Sequence, residues 1–242
     1  MDRPLTLVEH LNELRKRIII SLAALVTAVI LSSPFSSLIF KVLKFPAQDA
    51  IKRLVFFSPQ EAFLMYVNIS LISGLIISLP VILYQAWLFI LPAVEHRLRK
   101  YAVCFVGFCF VSFIAGCLFA YFILIPTALK FLLGFAGSEL EPLISIDKYI
   151  SFVNALMFGC GLVFEIPMLS LILTKIGVVN PRLLRSKYKY ALVVILIIAA
   201  VITPTTDVFN MLILAIPMLL LYEIGIGVSF LSCRKKASYA YR

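Results

Sequence analysis

Three stretches of this chain run for more than 20 residues without a charged side chain: 18–40, 62–94 and 101–129. About 20 apolar residues in a helix suffice to cross the roughly 30 Å hydrocarbon core of a bilayer. A fourth run, 149–174, contains one charged group, and residues 190–222 form two shorter runs separated by Asp207. The pattern predicts six membrane spans, at approximately 18–40, 66–92, 101–127, 149–174, 189–204 and 208–231.

The spans are expected to be α-helices, because a helix satisfies its own backbone hydrogen bonds where no water is present. Composition agrees, since 62% of the residues are hydrophobic, whereas soluble domains average about 45–50%. The spans and their connections use almost all of the sequence. We therefore predict one all-α integral membrane domain over residues 1–242, a bundle of six transmembrane helices, with no separate soluble domain.

The distribution of basic residues predicts the topology. The chain has 22 lysines and arginines and a net charge of +10, which in a soluble protein would suggest a nucleic-acid partner. In a membrane protein, lysine and arginine instead mark cytoplasmic segments. Sixteen of the 22 lie in the N-terminal segment, loops 92–100 and 175–189, and the C-terminal tail. We predict that both termini are cytoplasmic, although loop 41–61 carries four basic residues on the opposite side.

The sequence gives no indication of an enzyme. Four cysteines lie within apolar runs and a fifth, Cys233, follows the last run. None has metal-ligand spacing with a histidine nearby, and the chain lacks a glycine-rich phosphate loop, a catalytic triad or a zinc signature. We interpret the cysteines as packing residues and expect neither a metal site nor a cofactor.

The segment before the first span, "TLVEHLNELRKRI", has the features of a helix start. Thr6 and Glu9 have the spacing of a capping box. Glu13 and Arg17 share a face at four-residue spacing, separate from an apolar stripe formed by Leu7, Leu11, Leu14 and Ile18. We predict an amphipathic helix at the cytoplasmic surface that continues into the first span. The same spacing would also let Glu13 simply pair with Arg17, which is worth a few tenths of a kcal/mol.

The run 149–174 contains "GLVFEIP", which places a carboxylate and a proline in mid-span. Insertion tolerates Glu165, because 13 Leu, Ile, Phe or Val residues in the run outweigh a cost of roughly 3 kcal/mol for one charge. Pro167 removes a backbone hydrogen bond and predicts a kink. Glu165 could then bond a freed carbonyl, contact an incoming helix, or belong to a proton path with Asp207 and Glu223.

The last two apolar runs form a short hairpin around "TPTTD" at 203–207. Residues 190–206 would give a helix of only about 25 Å. Thr203, Asp207 and Asn210 would cluster at the outer turn. We predict that they form a polar docking point for the transmembrane helix of a partner, the alternative being a simple turn. No internal repeat is visible, which argues against a secondary transporter.

Taken in order, several motifs resemble the TatC family, the multispanning receptor subunit of the twin-arginine protein translocase. The motifs are "HLNELRKR" (10–17), "FSPQEAF" (57–63), "PVILYQAWLFILP" (80–92), "AYFILIP" (120–126), "FEIP" (164–167) and "ITPTTDVFN" followed by "AIPMLLLYEIG". They cover nearly the whole chain and fit a six-span background with basic cytoplasmic loops.

The resemblance implies a cupped, concave bundle with cytoplasmic termini in a prokaryotic inner membrane. It implies binding of the twin-arginine signal peptides of folded proteins. It also implies assembly with single-span TatA-type and TatB-type partners, transport driven by the proton-motive force, and a homo-oligomer within a receptor complex. No cofactor is implied. Two alternative functions belong to other classes of protein. One is a proton-coupled transporter or channel subunit that uses Glu165, and the other is an assembly scaffold without a receptor role.

The resemblance also implies where the signal peptide binds. The acid of the family's "HLxELR" helix matches Glu13, and Arg15 and Arg17 would orient it or contact acidic partner groups. The second acid lies in the first cytoplasmic loop, which reads "PAVEHRLRK" here. Its only acid, Glu95, precedes the usual family position, near which Leu98 stands. Guanidinium and carboxylate form a two-pronged, charge-assisted hydrogen bond that ammonium cannot copy. Glu165 would line the cupped face as a polar contact for a signal peptide or partner helix.

Overall fold

Helices make up almost all of the secondary structure in the computed structural model, which describes residues 7–48, 51, 53–90, 102–134, 143–176, 180–203 and 208–239. The α-helices within these ranges are α1 (Leu7–Ser32), α2 (Ser36–Lys44), α3 (Pro59–Ile90), α4 (Ala102–Phe119), α5 (Ile125–Gly134), α6 (Ile146–Val163), α7 (Ile166–Ile176), α8 (Pro181–Ser186), α9 (Tyr188–Ile202) and α10 (Val208–Tyr239). The only strands in the same ranges are β1 (Leu54–Val55) and β2 (Ile144–Ser145). The predicted all-α class is confirmed.

Five helical stretches in the described part of the chain are long and apolar enough to cross a membrane: Val8–Ala47, Pro59–Phe89, Phe105–Gly134, Ile146–Thr174 and Val208–Phe230. They coincide with five of the predicted spans. The remaining prediction, 189–204, coincides with α9, a shorter apolar helix of 15 residues. Its length of about 22 Å agrees with the short hairpin expected from the sequence.

Helix ends differ from the predicted spans where prolines occur. The N-terminal amphipathic segment and the first span form one continuous helix, α1, as expected. The predicted span 18–40 is nevertheless two helices, because a 3-10 turn containing Pro34 separates α1 from α2. A second 3-10 turn, Phe45–Ala47, follows α2. By contrast, α3 begins at Pro59 and continues through Pro80 without interruption.

Contacts divide the chain into two compact units, one of residues 1–40 and 66–110 and the other of residues 41–65 and 111–242. The first contains α1, most of α3 and the first halves of α2 and α4. The second contains the ends of α2 and α4, both strands and α5 to α10. Each unit has fully or almost fully buried apolar side chains of its own.

In the first unit, α1 and α3 pack against each other in antiparallel directions. Near the end of α1, Ser32 Oγ donates a hydrogen bond to the carbonyl oxygen of Ser70, at 3.0 Å. The backbones come very close at Gly74, where an added Cβ would lie 2.7 Å from the Cα atom of Val29. Small residues permit such close helix contacts in membrane proteins. This contact fixes the register that brings the start of α1 to the end of α3.

In the second unit, the connection 41–61 is tied to distant parts of the chain. The hydroxyl of Tyr149 donates to the carbonyl oxygen of Leu43 at 2.7 Å. Ser145 Oγ donates to Glu61 Oε2 at 2.9 Å. β1 and β2 pair in parallel. These bonds join the start of α3 and the end of α2 to the start of α6.

Helices α4 and α6 also make close backbone contact within the second unit. A Cβ added to Gly116 would lie 2.5 Å from the carbonyl oxygen of Cys160, and one added to Gly161 would lie 2.5 Å from the ring of Phe113. Between α4 and α5 the helix widens into a π-helix, Ala120–Leu124. Gly116 is therefore required by the approach of the two backbones, and Gly161 by the ring of Phe113.

Candidate functional site

Glu13, the first predicted contact for a signal arginine, is paired with an arginine of its own helix. Arg17 Nη2 donates to Glu13 Oε1 at 3.2 Å, and both side chains are 23% exposed. Arg17 Nη1 donates to the amide oxygen of Gln85 on α3, at 3.0 Å. The carboxylate therefore already holds one guanidinium, and that guanidinium is anchored by a neutral amide from a second helix.

The pair follows directly from helical spacing, since residues four apart face each other on an α-helix. Such partly exposed pairs contribute only about 0.3–0.5 kcal/mol. The pair formed by Glu13 and Arg17 therefore orients the carboxylate more than it stabilises the fold. A pairing this weak can be exchanged for a guanidinium supplied by another molecule.

Sequence reasoning missed Gln85. It lies in the run 62–94, which carries no charge but contains this amide, and it is buried. A buried polar group in an apolar span requires a hydrogen-bond partner, and this rule is the signal that could have identified it. The antiparallel packing of α1 and α3 brings its oxygen to Arg17.

The structure brings together two of the four predicted signal-peptide residues. Glu13 and Arg17 are in contact. Arg15 is exposed, and residues two apart on a helix do not face each other, so contact with acidic groups of a partner stays the prediction for Arg15. Glu95 lies outside the described residues. His10 stacks on Phe89 with ring centroids 4.5 Å apart, which joins the start of α1 to the last turn of α3.

Glu165 lies at a break between α6 and α7 and is 9% exposed. Its amide donates to the carbonyl of Leu162 at 3.1 Å, and its carbonyl accepts from the amide of Leu169 at 2.9 Å. Pro167 lies in the first turn of α7, where a backbone N–H has no intrahelical partner in any case. The predicted kink is thus a short interruption, at residues 164 and 165, between two helices.

Ser112 on α4 is a second residue that sequence reasoning missed. Its Oγ donates to the carbonyl oxygen of Phe164 at 2.6 Å, across to the break between α6 and α7. It therefore satisfies one backbone acceptor that the interrupted helix leaves open. The residue immediately before Glu165 is fixed by α4, so the position of the carboxylate depends on packing between helices.

The residues predicted to form a polar docking point are largely enclosed. Thr203 is 4% exposed and Asn210 is 0% exposed. Thr203 Oγ1 donates to the carbonyl oxygen of Ala199 at 2.7 Å. Asp207 lies outside the described residues. Thr203 and Asn210 thus belong to the interior of the second unit, and a partner would reach them only if the hairpin opened.

The described residues contain no group of three or more His, Cys, Asp or Glu side chains that could hold a metal ion. Cys109, Cys117 and Cys160 are buried. Cys117 Sγ donates to the carbonyl of Met157 at 3.5 Å, in the contact between α4 and α6. This placement agrees with the interpretation of the cysteines as packing residues.

The chain is similar to a well-defined family of membrane proteins. The family model described as "Sec-independent protein translocase protein (TatC)" matches residues 9–217. The TatC protein of Aquifex aeolicus is 43% identical over 235 residues, which cover 95% of this chain and 97% of that protein. The TatC protein of Carboxydothermus hydrogenoformans is 39% identical over 94% of both chains. A chloroplastic protein from Pisum sativum is 36% identical over 91% of this chain and 63% of its own length.

A solved structure shows the same fold. The crystal structure described as "Twin Arginine Translocase Receptor- TatC" superimposes with a TM-score of 0.81, is 41% identical in sequence, and covers 93% of this chain and 100% of its own. A second crystal structure of that receptor, obtained in the detergent DDM, also has a TM-score of 0.81, with 42% identity.

Proposed function

This chain belongs to the TatC family, and we propose that it recognises twin-arginine signal peptides of folded proteins through Glu13 on α1. The observation that carries the proposal is the contact between Glu13 and Arg17, in which the carboxylate is already arranged to bind a guanidinium. Exchange of that internal arginine for an arginine of the signal peptide conserves the interaction. Arg17 would remain held by Gln85 while the exchange takes place.

The chemistry explains why a lysine pair would not substitute. Arginine presents a planar fork that can meet both oxygens of a carboxylate, whereas lysine offers a compact charge with a strong hydration shell. We propose that Glu95, in the connection between α3 and α4, takes the second arginine. The test is capture of a twin-arginine signal peptide by the purified chain in lipid nanodiscs. Equal capture of the peptide with both arginines replaced by lysine would contradict the proposal.

We propose that α9 is the sixth span of a cupped bundle formed by the whole chain, with both termini in the cytoplasm of a prokaryotic cell and the bundle in its inner membrane. Support comes from the 16 of 22 basic residues that lie in the two terminal segments and in loops 92–100 and 175–189. The apolar character of α9 also supports it. A thin bilayer or a shallow position would accommodate so short a helix.

Labelling of single cysteines tests this orientation. Ser186→Cys, at the exposed end of α8, should react with a membrane-impermeant maleimide only after the cells are permeabilised, because the basic loop around it is predicted to be cytoplasmic. Gln48→Cys is exposed and should react in intact cells. The native cysteines are first replaced. Labelling of Ser186→Cys in intact cells would reverse the topology.

We propose that the intramembrane polar residues serve assembly with TatA-type and TatB-type single-span partners, in a receptor complex that contains further copies of this chain. Glu165 offers a carboxylate at the break between α6 and α7, where a signal peptide or partner helix could satisfy a polar group of its own. Asp207 would do the same at the hairpin. Thr203 and Asn210 are buried and would contribute when the hairpin opens to a partner.

Replacing Glu165 separates this proposal from a proton-coupled mechanism. We expect Glu165→Gln to retain most export and partner crosslinking, because glutamine can still form hydrogen bonds. Glu165→Ala and Glu165→Leu should lose both. The measurement is export of a twin-arginine substrate, together with crosslinking to the partner, at equal amounts of inserted protein.

Two other results would overturn the assembly role. If Glu165→Leu exports like the parent, Glu165 is part of the scaffold only. If Glu165→Gln is as inactive as Glu165→Ala, ionisation is required, and the second candidate function, a proton path through Glu165, Asp207 and Glu223, is favoured. The buried position of Glu165 is the observation that supports this candidate. An ionisable group inside a membrane is costly to place there, and such groups usually mark a functional site.

A further inference from the structure

An apolar groove runs between α1 and α3 within the first unit, and Arg17 is one of its walls. Its volume is about 370 Å³. The groove is lined by Leu14, Arg17, Ile18, Ser21, Leu22, Leu25, Ile82, Gln85, Ala86 and Phe89. From Leu14 to Leu25 it extends for about 16 Å along α1, at 1.5 Å per residue.

The shape of the groove follows from the packing of the two helices. α1 and α3 approach so closely at Val29 and Gly74 that an added Cβ has no room. Among the residues that line the groove, Ser21 and Ala86 have short side chains. Ile18 and Leu22 remain about half exposed beside them. The groove is therefore an open slot, closed at one end by the close contact of the two backbones.

The size of the groove selects a slender occupant. A helix with its side chains is about 10–12 Å in diameter and would lie over the slot instead of inside it. The volume of about 370 Å³ is at the small end of the roughly 300–1,000 Å³ typical of small-molecule sites. An extended hydrocarbon chain has the required width, and α1 lies in a stretch long and apolar enough to be surrounded by lipid.

The polar end of the groove is electropositive. Arg17 has five N–H donors, of which the described contacts use two, to Glu13 and Gln85. Its Nε is buried and has no hydrogen-bond partner within the described part of the chain. Arg15 and Lys16 add two exposed positive charges directly before it. An apolar slot that ends at a partly satisfied guanidinium complements an acyl chain that ends at a phosphate.

We propose that this groove is a binding site for one anionic phospholipid, with an acyl chain between α1 and α3 and the headgroup phosphate at Arg17. Guanidinium and phosphate form charge-assisted hydrogen bonds in a fixed geometry. The proposal concerns a lipid and does not depend on signal-peptide recognition. An attraction of about 1 kcal/mol per basic residue near the membrane surface corresponds to roughly a fivefold preference for an anionic over a zwitterionic lipid.

The only tryptophan of the chain, Trp87, directly follows Ala86 and provides a reporter. It is buried and stacked on Phe105, with ring centroids 4.2 Å apart. Bromine atoms on an acyl chain quench tryptophan fluorescence at short range, so quenching that depends on the residues lining the groove reports its occupancy. The purified full-length chain is reconstituted in vesicles with brominated phosphatidylglycerol or brominated phosphatidylcholine, each over the same series of mole fractions.

Brominated phosphatidylglycerol should quench at about fivefold lower mole fraction than brominated phosphatidylcholine. Arg17→Gln should remove this difference, whereas Lys16→Gln, which loses a charge beside the groove, should retain most of it. Ala86→Leu fills the slot and should also remove the difference. Ala23→Leu makes the same change at an exposed position of α1 outside the groove and should have no effect.

Four results would overturn the proposal. Equal quenching by the two lipids would show that no anionic site exists. A preference that survives Arg17→Gln would place the headgroup elsewhere. Unchanged quenching in Ala86→Leu, combined with weaker capture of a twin-arginine signal peptide, would assign the groove to the apolar segment of that peptide. Inorganic phosphate should not compete with the lipid, and competition would reduce the site to a simple anion site. Size-exclusion profiles matching the parent show that each variant is folded.

Discussion

Replacing Glu13 with alanine should abolish binding of a twin-arginine signal peptide while the protein still inserts into the membrane. The carboxylate of Glu13 already binds one guanidinium, that of Arg17. Removing this carboxylate leaves an arginine of the signal peptide without its acceptor. A bound signal peptide would bury this contact, and removing one partner of a buried, hydrogen-bonded charge pair costs about 2–5 kcal/mol, or a fall in affinity of roughly 30-fold or more. Glu13→Gln should be nearly as defective, because it keeps the shape but removes the charge. Binding is measured with a labelled signal peptide and the purified chain in nanodiscs.

The control for this experiment lies one turn earlier on the same helix. Glu9 is exposed and has the same charge, so Glu9→Gln changes the net charge of the helix equally. It should bind like the parent if recognition depends on the specific carboxylate. A similar loss in Glu9→Gln and Glu13→Gln would indicate general electrostatic attraction. Unaltered binding in both Glu13 variants would remove the main contact from the proposed site.

Replacing Gly116 with alanine should destabilise the protein markedly, and replacing it with leucine should prevent folding. An added Cβ would lie 2.5 Å from the carbonyl oxygen of Cys160, so α4 and α6 would have to separate. Overpacking of this kind typically costs about 1–3 kcal/mol and sometimes more. The measurement is the temperature at which the purified protein loses its monodisperse peak in detergent.

The same helix supplies a matched control at Gly107. A Cβ added there meets nothing within 4 Å. Because alanine is the better helix former by about 1 kcal/mol, Gly107→Ala should leave the unfolding temperature unchanged or raise it. If Gly116→Ala and Gly107→Ala behaved alike, the close approach of α4 and α6 would not exist in the membrane.

The features that the sequence predicted well depend on local patterns. The capping residues and four-residue spacing at the start of α1 predicted a helix that continues into the first span, and Glu13 indeed pairs with Arg17. The absence of charge over long runs predicted the apolar helices. Both features have short-range causes, which are helix periodicity and the need for backbone hydrogen bonds in lipid. These causes do not depend on the rest of the fold.

The features that the sequence left out depend on contacts between distant segments. Gln85 becomes part of the candidate site only because α3 packs antiparallel to α1. Ser112 is hydrogen-bonded to Phe164, which is 52 positions away, and this contact accompanies a helix break where Pro167 predicted only a kink. The burial of Asn210 likewise comes from packing in the second unit. A pattern within one segment of the sequence cannot predict contacts between distant segments.

The most direct test of the proposed receptor role is photo-crosslinking of a twin-arginine signal peptide to this chain in membranes. The photoreactive residue is placed in the peptide directly beside the arginine pair, and the crosslinked site is mapped by mass spectrometry. If Glu13 is the acceptor, crosslinks should fall on residues 10–17 of α1 and disappear when the peptide carries lysines. Crosslinks confined to other helices, with none on α1, would contradict the assignment of the signal-peptide site.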